Sequence, residues 1–147
     1  MGDLPALATL YRDAAAAYGP SAYSPAQVAA WRAVPDDEAR FARWILDADT
    51  ELALDDDGRP LGFCGVHLAS GHVHSLYVAA GHGRHGIGSS LLARALLRAG
   101  AAGCGRQDAW ATPFSRPVFL RASFRLVETV QAPFNGVMFE RYRLERP

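Results

Sequence analysis

One stretch, residues 72–102, constrains the fold more than any other part of the chain. It reads HVHSLYVAAGHGRHGIGSSLLARALLRAGAA and changes its periodicity halfway along. Residues 73–78 supply the β-branched, aromatic and aliphatic content of a strand. From Ile87 onward, apolar residues recur every three or four positions, as on one face of an amphipathic helix, and Gly100 and Gly103 end the pattern. The stretch therefore predicts a strand, a glycine-rich loop and a helix.

The loop between the strand and the helix has the sequence GRHGIG and occupies residues 83–88. It brings backbone amides without side chains to the first turn of the helix. Unpaired N–H groups and the positive end of the helix dipole favour an anion such as a phosphate at this place, and glycine lets the anion come close. No Lys-Ser or Lys-Thr follows, as it would in a P-loop. The loop by itself leaves phosphate binding and a purely structural turn as open alternatives.

The strand, loop and helix together resemble the central motif of the GCN5-related N-acetyltransferase (GNAT) family, whose loop usually reads Q/R-x-x-G-x-G/A. In that family the loop amides and the helix start hold the pyrophosphate of acetyl-coenzyme A, and the strand backbone pairs with the pantetheine arm. Gly83 stands where the family has Gln or Arg, with Arg84 one place later, so that side-chain contact is lost or moved. The resemblance implies that the residues binding acetyl-CoA are Leu76, Tyr77, Val78, Gly83, Arg84, His85, Gly86, Ile87, Gly88 and Ser89.

Two further segments extend the resemblance. Residues 23–31, YSPAQVAAW, look like the entry helix found in a group of small bacterial acetyltransferases of this family. Residues 112–125 are similar to its second motif, with Phe119 at the position of the family's tyrosine, which protonates the leaving thiolate, and Ser123 at the position of its glycine. A phenylalanine cannot act as that acid, so Tyr77, Ser115 or water would have to replace it.

The implied fold class is α/β: a GNAT-like mixed, mostly antiparallel twisted sheet with helices on both faces. It would form a single acetyltransferase-like domain over residues 1–147. The family's first strand is missing from the predicted order, because a helix begins at Asp3. Either the true start lies upstream, or a neighbour, as in a homodimer, covers the edge of the sheet.

Turn and cap signals divide the rest of the chain. Ser24-Pro25-Ala26-Gln27 is a capping signature that starts a short helix, and another helix begins near Asp36. The DDDGRP segment predicts a hairpin turn between strands at residues 51–55 and 61–68. Strands are also predicted at residues 107–111, 124–130 and 137–144, the last two joined by a turn at Asn135-Gly136.

Three aromatic residues are candidates for contacts with the acetyl acceptor. In the family, the region around Tyr23 and Trp31 overhangs the acceptor pocket. Trp110 lies on the strand predicted at residues 107–111 and could line an apolar pocket. The alternative is that these rings simply fill the core, where aromatic side chains contribute most of their buried area.

Acetyl transfer to an amine requires removal of a proton, because an alkylamine with a pKa near about 10.4 is almost entirely protonated at neutral pH. His72 and His74 lie just upstream of the strand's cofactor-binding end, and an imidazole is suited to accept a proton near pH 7. His74 is the first candidate for the general base and His72 the second. A metal site formed by His72 and His74 with His82 or His85 is an alternative, but no carboxylate or cysteine lies at ligand spacing, so no metal is predicted.

Composition excludes several classes of protein. Fifteen Lys or Arg residues balance fifteen Asp or Glu residues, so no basic surplus points to nucleic acid. No apolar run is long enough to span a membrane or to form a signal peptide. Cys64 and Cys104 are predicted to be free thiols of a cytoplasmic protein.

The predicted function is transfer of an acetyl group from acetyl-CoA to a primary amine of a small molecule or peptide. A non-catalytic acyl-CoA-binding or regulatory domain is the alternative, because the family's acid is absent at Phe119. Nucleotide binding without acyl chemistry is a third reading of the same loop.

Overall fold

The computed structural model describes residues 3–82 and 86–147, which form an open six-stranded sheet between two layers of helices. The strands are β1 Asp49–Leu54, β2 Pro60–His67, β3 His72–Val78, β4 Gln107–Ala111, β5 Arg125–Phe134 and β6 Val137–Arg146. The helices are α1 Leu4–Tyr18, α2 Pro25–Arg32, α3 Glu38–Leu46, α4 Ile87–Ala101 and α5 Arg116–Arg121, with short 3-10 turns at Gly19–Ser21 and Val34–Asp36. No helix in the described ranges is both long and apolar enough to cross a bilayer.

The strand order is β1-β2-β3-β4-β6-β5, and only β3 and β4 run parallel to each other. A parallel pair needs a crossover connection, and α4 supplies it. The mixed, mostly antiparallel sheet that the sequence predicted is therefore confirmed. In the described residues α1 is the first element, and β1 and β5 are the sheet edges.

Each face of the sheet carries its own core. On one face α4 and α5 pack against β2, β3 and β4 around fully buried residues that include Leu92, Ala95, Phe119 and Leu144. On the other face α1, α2 and α3 enclose a second, more aromatic cluster: Leu7, Leu10, Tyr11, Ala15, Ala30, Trp31, Phe41, Ile45, Phe63 and Phe139. Helices on both faces were predicted, and both layers are present.

Local signals in the sequence set most element ends. Ser24 and Gln27 form the predicted reciprocal capping box at the start of α2. Asp37 accepts a hydrogen bond from the Arg40 backbone and begins α3. Asn135 and Gly136 have φ values of 48° and 76°, the left-handed pair of a type I′ hairpin turn.

Strand β5 is longer than predicted. It continues past Val130 to Phe134, with Pro133 opposite Met138. Proline has no N–H to donate, and an edge strand tolerates it because one side of the strand needs no partner. The hairpin of β5 and β6 therefore reaches beyond the sheet toward α2, where Gln27 Nε2 donates to the Met138 carbonyl at 2.9 Å.

The two parallel strands diverge soon after they meet. β3 and β4 pair only at His72 with Asp108 and Val73 with Ala109. Beyond these pairs, β3 keeps its antiparallel partner β2 up to Val78 on one edge, while its other edge has no strand partner. The sheet is therefore splayed between β3 and β4.

A β-bulge lies at the point of divergence. Gly65 pairs with Ser75, but the next residue of β2, Val66, pairs with Val73, so His74 is an extra residue in β3. A bulge bends its strand and re-aims side chains. It coincides with the position where β3 turns away from β4.

Candidate active site

A cavity of about 780 Å³ opens between the helices α1 to α3 and the divergent ends of the central strands. Its volume is within the range of small-molecule sites. All three acceptor-binding candidates, Tyr23, Trp31 and Trp110, line it, as do His72 and His74. The fold therefore brings together the substrate and base candidates, which are up to 87 positions apart in the sequence, from residue 23 to residue 110.

The cofactor candidates in the described residues lie at the end of β3 and at the start of α4, and the side chain of one of them, Tyr77, also lines the cavity. Tyr77 pairs with Phe63 of β2, so the residues on either side of it, Leu76 and Val78, direct their backbone groups to the edge of β3 that has no strand partner among the described residues. Those groups are free to pair with a ligand. Gly86 precedes α4 in a left-handed conformation (φ 75°), and no side chain in the described part of the chain caps the helix start. Gly88 lies beside the end of β3, since a Cβ there would be 3.4 Å from Val78 Cγ2.

The helix start therefore has the properties of an anion site. The backbone N–H groups of Ile87, Gly88 and Ser89 lie before the first helical hydrogen bond, which Ser90 donates to the Gly86 carbonyl at 3.0 Å. Among residues 3–82 and 86–147, the sequence neighbours aside, no atom lies within 4 Å of a Cβ built on Gly86, so space is open on that side. The remaining predicted contacts, Gly83, Arg84 and His85, lie outside the described residues.

His72 and Asp108 form a side-chain pair across β3 and β4. His72 Nδ1 lies 3.1 Å from Asp108 Oδ1, and each side chain is 27% exposed. An ionised carboxylate can only accept, so Nδ1 carries the proton and Nε2 of the neutral ring keeps its lone pair. Arg143 Nη2 lies 3.8 Å from the other oxygen of Asp108.

His74 has a different environment. Its Nδ1 lies 3.1 Å from His67 Nε2, and its own Nε2 is buried with no hydrogen-bond partner in the described part of the chain. The ring is also 5.4 Å from that of Trp44, measured between centroids. Burial lowers the pKa of His74, and the neighbouring His67 and His72 lower it further.

Nine Phe, Tyr and Trp residues line the cavity. Tyr11 is at their centre, with its ring edge-on to those of Trp31, Phe41 and Trp44 and tilted against that of Tyr77. Trp31 Nε1 donates to the Tyr77 hydroxyl at 3.4 Å. Burial raises the pKa of Tyr11, Tyr23 and Tyr77, so these phenols stay protonated near neutral pH.

A smaller cavity of about 50 Å³ lies between β3, β4 and the start of α5. Phe119, 2% exposed, and Ser115 line it together with Leu76 and Tyr77. Ser115 Oγ accepts a hydrogen bond from the Thr112 backbone at 3.0 Å. The second-motif segment therefore borders the divergent strands, with a hydroxyl near the ring of Phe119.

The histidines do not assemble a metal centre in the described residues. No group of three His, Cys, Asp or Glu side chains within residues 3–82 and 86–147 is arranged to hold a metal ion. His85, one of the ligands of the metal alternative, lies outside those ranges.

Sequence reasoning did not identify several residues of the site. Asp108 and His67 became partners of the two histidines only through strand pairing, and no sequence spacing connects them. Tyr11, Phe41 and Trp44 follow a helical apolar pattern that is the same for a core ring and for a cavity-lining ring.

Known structures share this architecture. A GCN5-related N-acetyltransferase from Rhodopseudomonas palustris superposes with a TM-score of 0.92 at 23% identity, covering 99% of this chain and 89% of that one. A PaiA N-acetyltransferase from Thermoplasma acidophilum in complex with coenzyme A gives 0.73 at 15% identity, with 99% and 92% coverage. A phosphinothricin acetyltransferase of the GNAT superfamily from Sinorhizobium meliloti, in complex with AcCoA, gives 0.69 at 21% identity, with 99% and 83% coverage.

These identities show a shared fold. No curated protein matches the sequence. The model of the acetyltransferase (GNAT) family matches residues 8–118, which is most of the chain and includes the divergent strands, the helix start after the glycine-rich loop and the base candidates. The chain therefore belongs to the GNAT acetyltransferase family.

Proposed function

We propose that this chain is an acetyl-CoA-dependent N-acetyltransferase that acetylates a primary amine of a small molecule or peptide. The observation that carries the proposal is the opening between β3 and β4, which has a free strand edge and an uncapped helix start on one side and a large cavity on the other. Two reactants can enter such an opening from opposite sides and meet near Leu76, Tyr77 and Val78.

The residues present fit acetyl-CoA. The free edge of β3 offers backbone donors and acceptors to the amide groups of a pantetheine arm, and the amides of Ile87, Gly88 and Ser89 favour its pyrophosphate. We assign Gly83, Arg84, His85 and Gly86 to the same contact on the family motif. The bound thioester supplies the acetyl group and a thiolate leaving group.

For the general base we place His72 before His74. The Asp108 carboxylate fixes the His72 ring with its Nδ1 protonated, so Nε2 is left to accept a proton from the amine, directly or through water. His74 Nδ1 is engaged with His67 and its Nε2 is shielded from solvent, so His74 needs rearrangement or a relay through another group to play that part. Tyr23, Trp31 and Trp110 are the proposed acceptor contacts.

The decisive experiment measures thiol release from acetyl-CoA with a panel of primary amines, with mass spectrometry of the acetylated product. Release that depends on an amine supports the enzyme. Acetyl-CoA binding, detected as a rise in melting temperature, without release for any amine supports the alternative of a non-catalytic acyl-CoA-binding domain, which the absence of a tyrosine at Phe119 favours.

Three further properties belong to this proposal. We treat residues 1–147 as one acetyltransferase-like domain. Cys64 and Cys104 form no disulfide, which supports a cytoplasmic location. The outer edges of β1 and β5 leave room for a homodimer, which sedimentation analysis would test.

A further inference from the structure

The acceptor side of the cavity has an aromatic interior. Tyr11 has interplanar angles of 76°, 79° and 88° with Trp31, Phe41 and Trp44, so the four rings pack edge to face into one wall of the cavity and do not lie in one stack. Phe139 lines another part of the same cavity. Edge-to-face packing of this kind favours a further aromatic ring as an occupant over a flexible alkyl chain.

The charged groups of the cavity are at its mouth. Every Asp, Glu and Arg among its described lining residues is exposed. The three carboxylates are already engaged: Asp36 pairs with Arg12 at 3.0 Å, Asp37 caps α3, and Glu140 accepts from Gln131 at 3.3 Å.

Among the described lining residues, the interior therefore offers no free carboxylate to a second ammonium group, and Asp108, beside His72, is already engaged by His72 and Arg143. Its polar atoms belong to neutral groups, such as the phenols that burial keeps protonated. A charge buried without a partner carries a heavy desolvation cost. An amine with a single ammonium avoids that cost, because it becomes neutral when it gives up its proton to the base.

We propose that the acceptor is a primary monoamine carried on one aromatic group through a short alkyl linker, bound with its ring against the cavity wall formed by Tyr11, Phe41 and Trp44. This inference rests on the proposed function and narrows its acceptor class. The amine points toward His72 and the divergent strands, and the linker spans the distance between His72 and the wall of aromatic rings. Polyamines and lysyl side chains of peptides are poor acceptors under this proposal.

The test compares acceptors of similar basicity. Thiol release is measured with 2-phenylethylamine, tryptamine, n-hexylamine, spermidine and a lysine-containing tripeptide. We expect kcat/KM for the aryl amines to exceed that for n-hexylamine by about tenfold, the contribution of one or two aromatic pairs. We expect a deficit of about a hundredfold or more for spermidine and the tripeptide.

A Trp44→Leu variant separates ring recognition from apolar burial, with Trp44→Phe as the conservative variant and Leu97→Ala, 74% exposed, as the control. Trp44→Leu should raise KM for 2-phenylethylamine about tenfold and leave KM for n-hexylamine and acetyl-CoA nearly unchanged. Trp44→Phe should restore a KM for 2-phenylethylamine close to that of the unaltered chain. A melting curve shows whether each variant is folded. If Trp44→Leu does not fold, ring recognition is judged from Trp44→Phe and from the comparison of acceptors.

The outcomes of the two proposals are distinguishable. A preference for spermidine or the tripeptide, or equal use of hexyl and aryl amines, overturns the aromatic acceptor and leaves the acetyltransferase intact. If no amine releases thiol, the enzyme proposal fails. Calorimetry with coenzyme A present then measures whether the cavity binds an aromatic amine. Tighter binding of 2-phenylethylamine than of n-hexylamine supports the aromatic site, and absence of such binding overturns it.

Discussion

His72 and Asp108 are paired twice, once through the backbone register of β3 and β4 and once through their side chains, whose Nδ1 and Oδ1 atoms are 3.1 Å apart. They form the first of the two residue pairs that hold the parallel strands together. One strand pair later, at Val73 and Ala109, the pairing ends and the sheet opens. The base candidate is therefore held where the two halves of the sheet are joined, next to the opening that the reactants would share.

The first prediction concerns this pair. His72→Ala should lower kcat/KM at pH 7 by about a hundredfold, the usual contribution of a general base, and recover part of it at pH 9 where more of the amine is already neutral. Asp108→Asn should reduce the rate by a smaller factor, about tenfold, because the variant no longer fixes the proton on Nδ1 of His72 but leaves the imidazole ring in place. The acetyl-CoA-induced melting shift serves as control and should be unchanged. Near-normal turnover in both variants would remove His72 from the mechanism.

The second prediction tests the cofactor site. Saturating acetyl-CoA at about a hundredfold over its Kd should raise the melting temperature by about 5 to 10 °C. Gly86→Glu places bulk and negative charge at the helix start and should abolish this shift. Gly103→Glu is the matched control, because Gly103 is also left-handed (φ 96°) with open space around it but lies at the opposite end of α4. Loss of the shift in both variants would point to a general effect on α4.

The third prediction compares two glycines beneath that site. A Cβ at Gly62 would lie 2.8 Å from the Tyr77 carbonyl oxygen and 3.0 Å from Leu91 Cδ1, so Gly62→Ala should lower the free energy of unfolding by about 1 to 3 kcal/mol. A Cβ at Gly88 meets only ordinary contacts, the nearest at 3.4 Å, so Gly88→Ala should raise it by about 0.5 to 1 kcal/mol through helix propensity. Urea unfolding measures both. Equal effects would show that the packing of α4 on β2 differs from that described.

The fourth prediction concerns Ser123, which has a φ of 72° just after α5. It occupies the position of the glycine in the family's second motif, and a left-handed non-glycine residue costs about 1 to 2 kcal/mol. Ser123→Gly should therefore stabilise the protein by about 1 kcal/mol, since glycine also raises the conformational entropy of the unfolded chain, which offsets part of the relieved strain. Ala122→Gly, at the preceding residue with a φ of −90°, is the control and should destabilise. A destabilising Ser123→Gly would argue that the serine side chain has a role of its own.

The fifth prediction follows from the burial of His74. Its pKa is lower in the folded protein than the ordinary 6.5, because burial and then His67 and His72 disfavour its charge, against smaller opposing effects of the Trp44 backbone and of Asp47. The unfolded chain therefore binds more protons in this range, and stability should be full above pH 6.5 and fall as the pH drops below it. In urea unfolding between pH 8 and pH 5, His74→Gln should lose less stability than the unaltered chain. Parallel curves would show that His74 is not the group responsible.

The sequence by itself determined the local elements of this protein. Periodicity fixed the strand and helix around the glycine-rich loop, and short-range hydrogen-bonding chemistry fixed the capping box of Ser24 and Gln27 and the turn at Asn135 and Gly136. These features depend on residues within a few positions of one another, so their physics is contained in a short segment. The family motif added the expected topology and the side of the sheet where the cofactor would lie.

Only the tertiary structure decided which residues act together. Asp108 reaches His72 because α4 returns the chain to a parallel strand in one register, and a shift of one residue would turn the carboxylate to the other face. The bulge at His74 and its contact with His67 likewise depend on the pairing of β2 with β3. Whether Tyr11, Phe41 and Trp44 fill a core or line a cavity depends on how far the three helices stand from the sheet, a distance that no local pattern encodes.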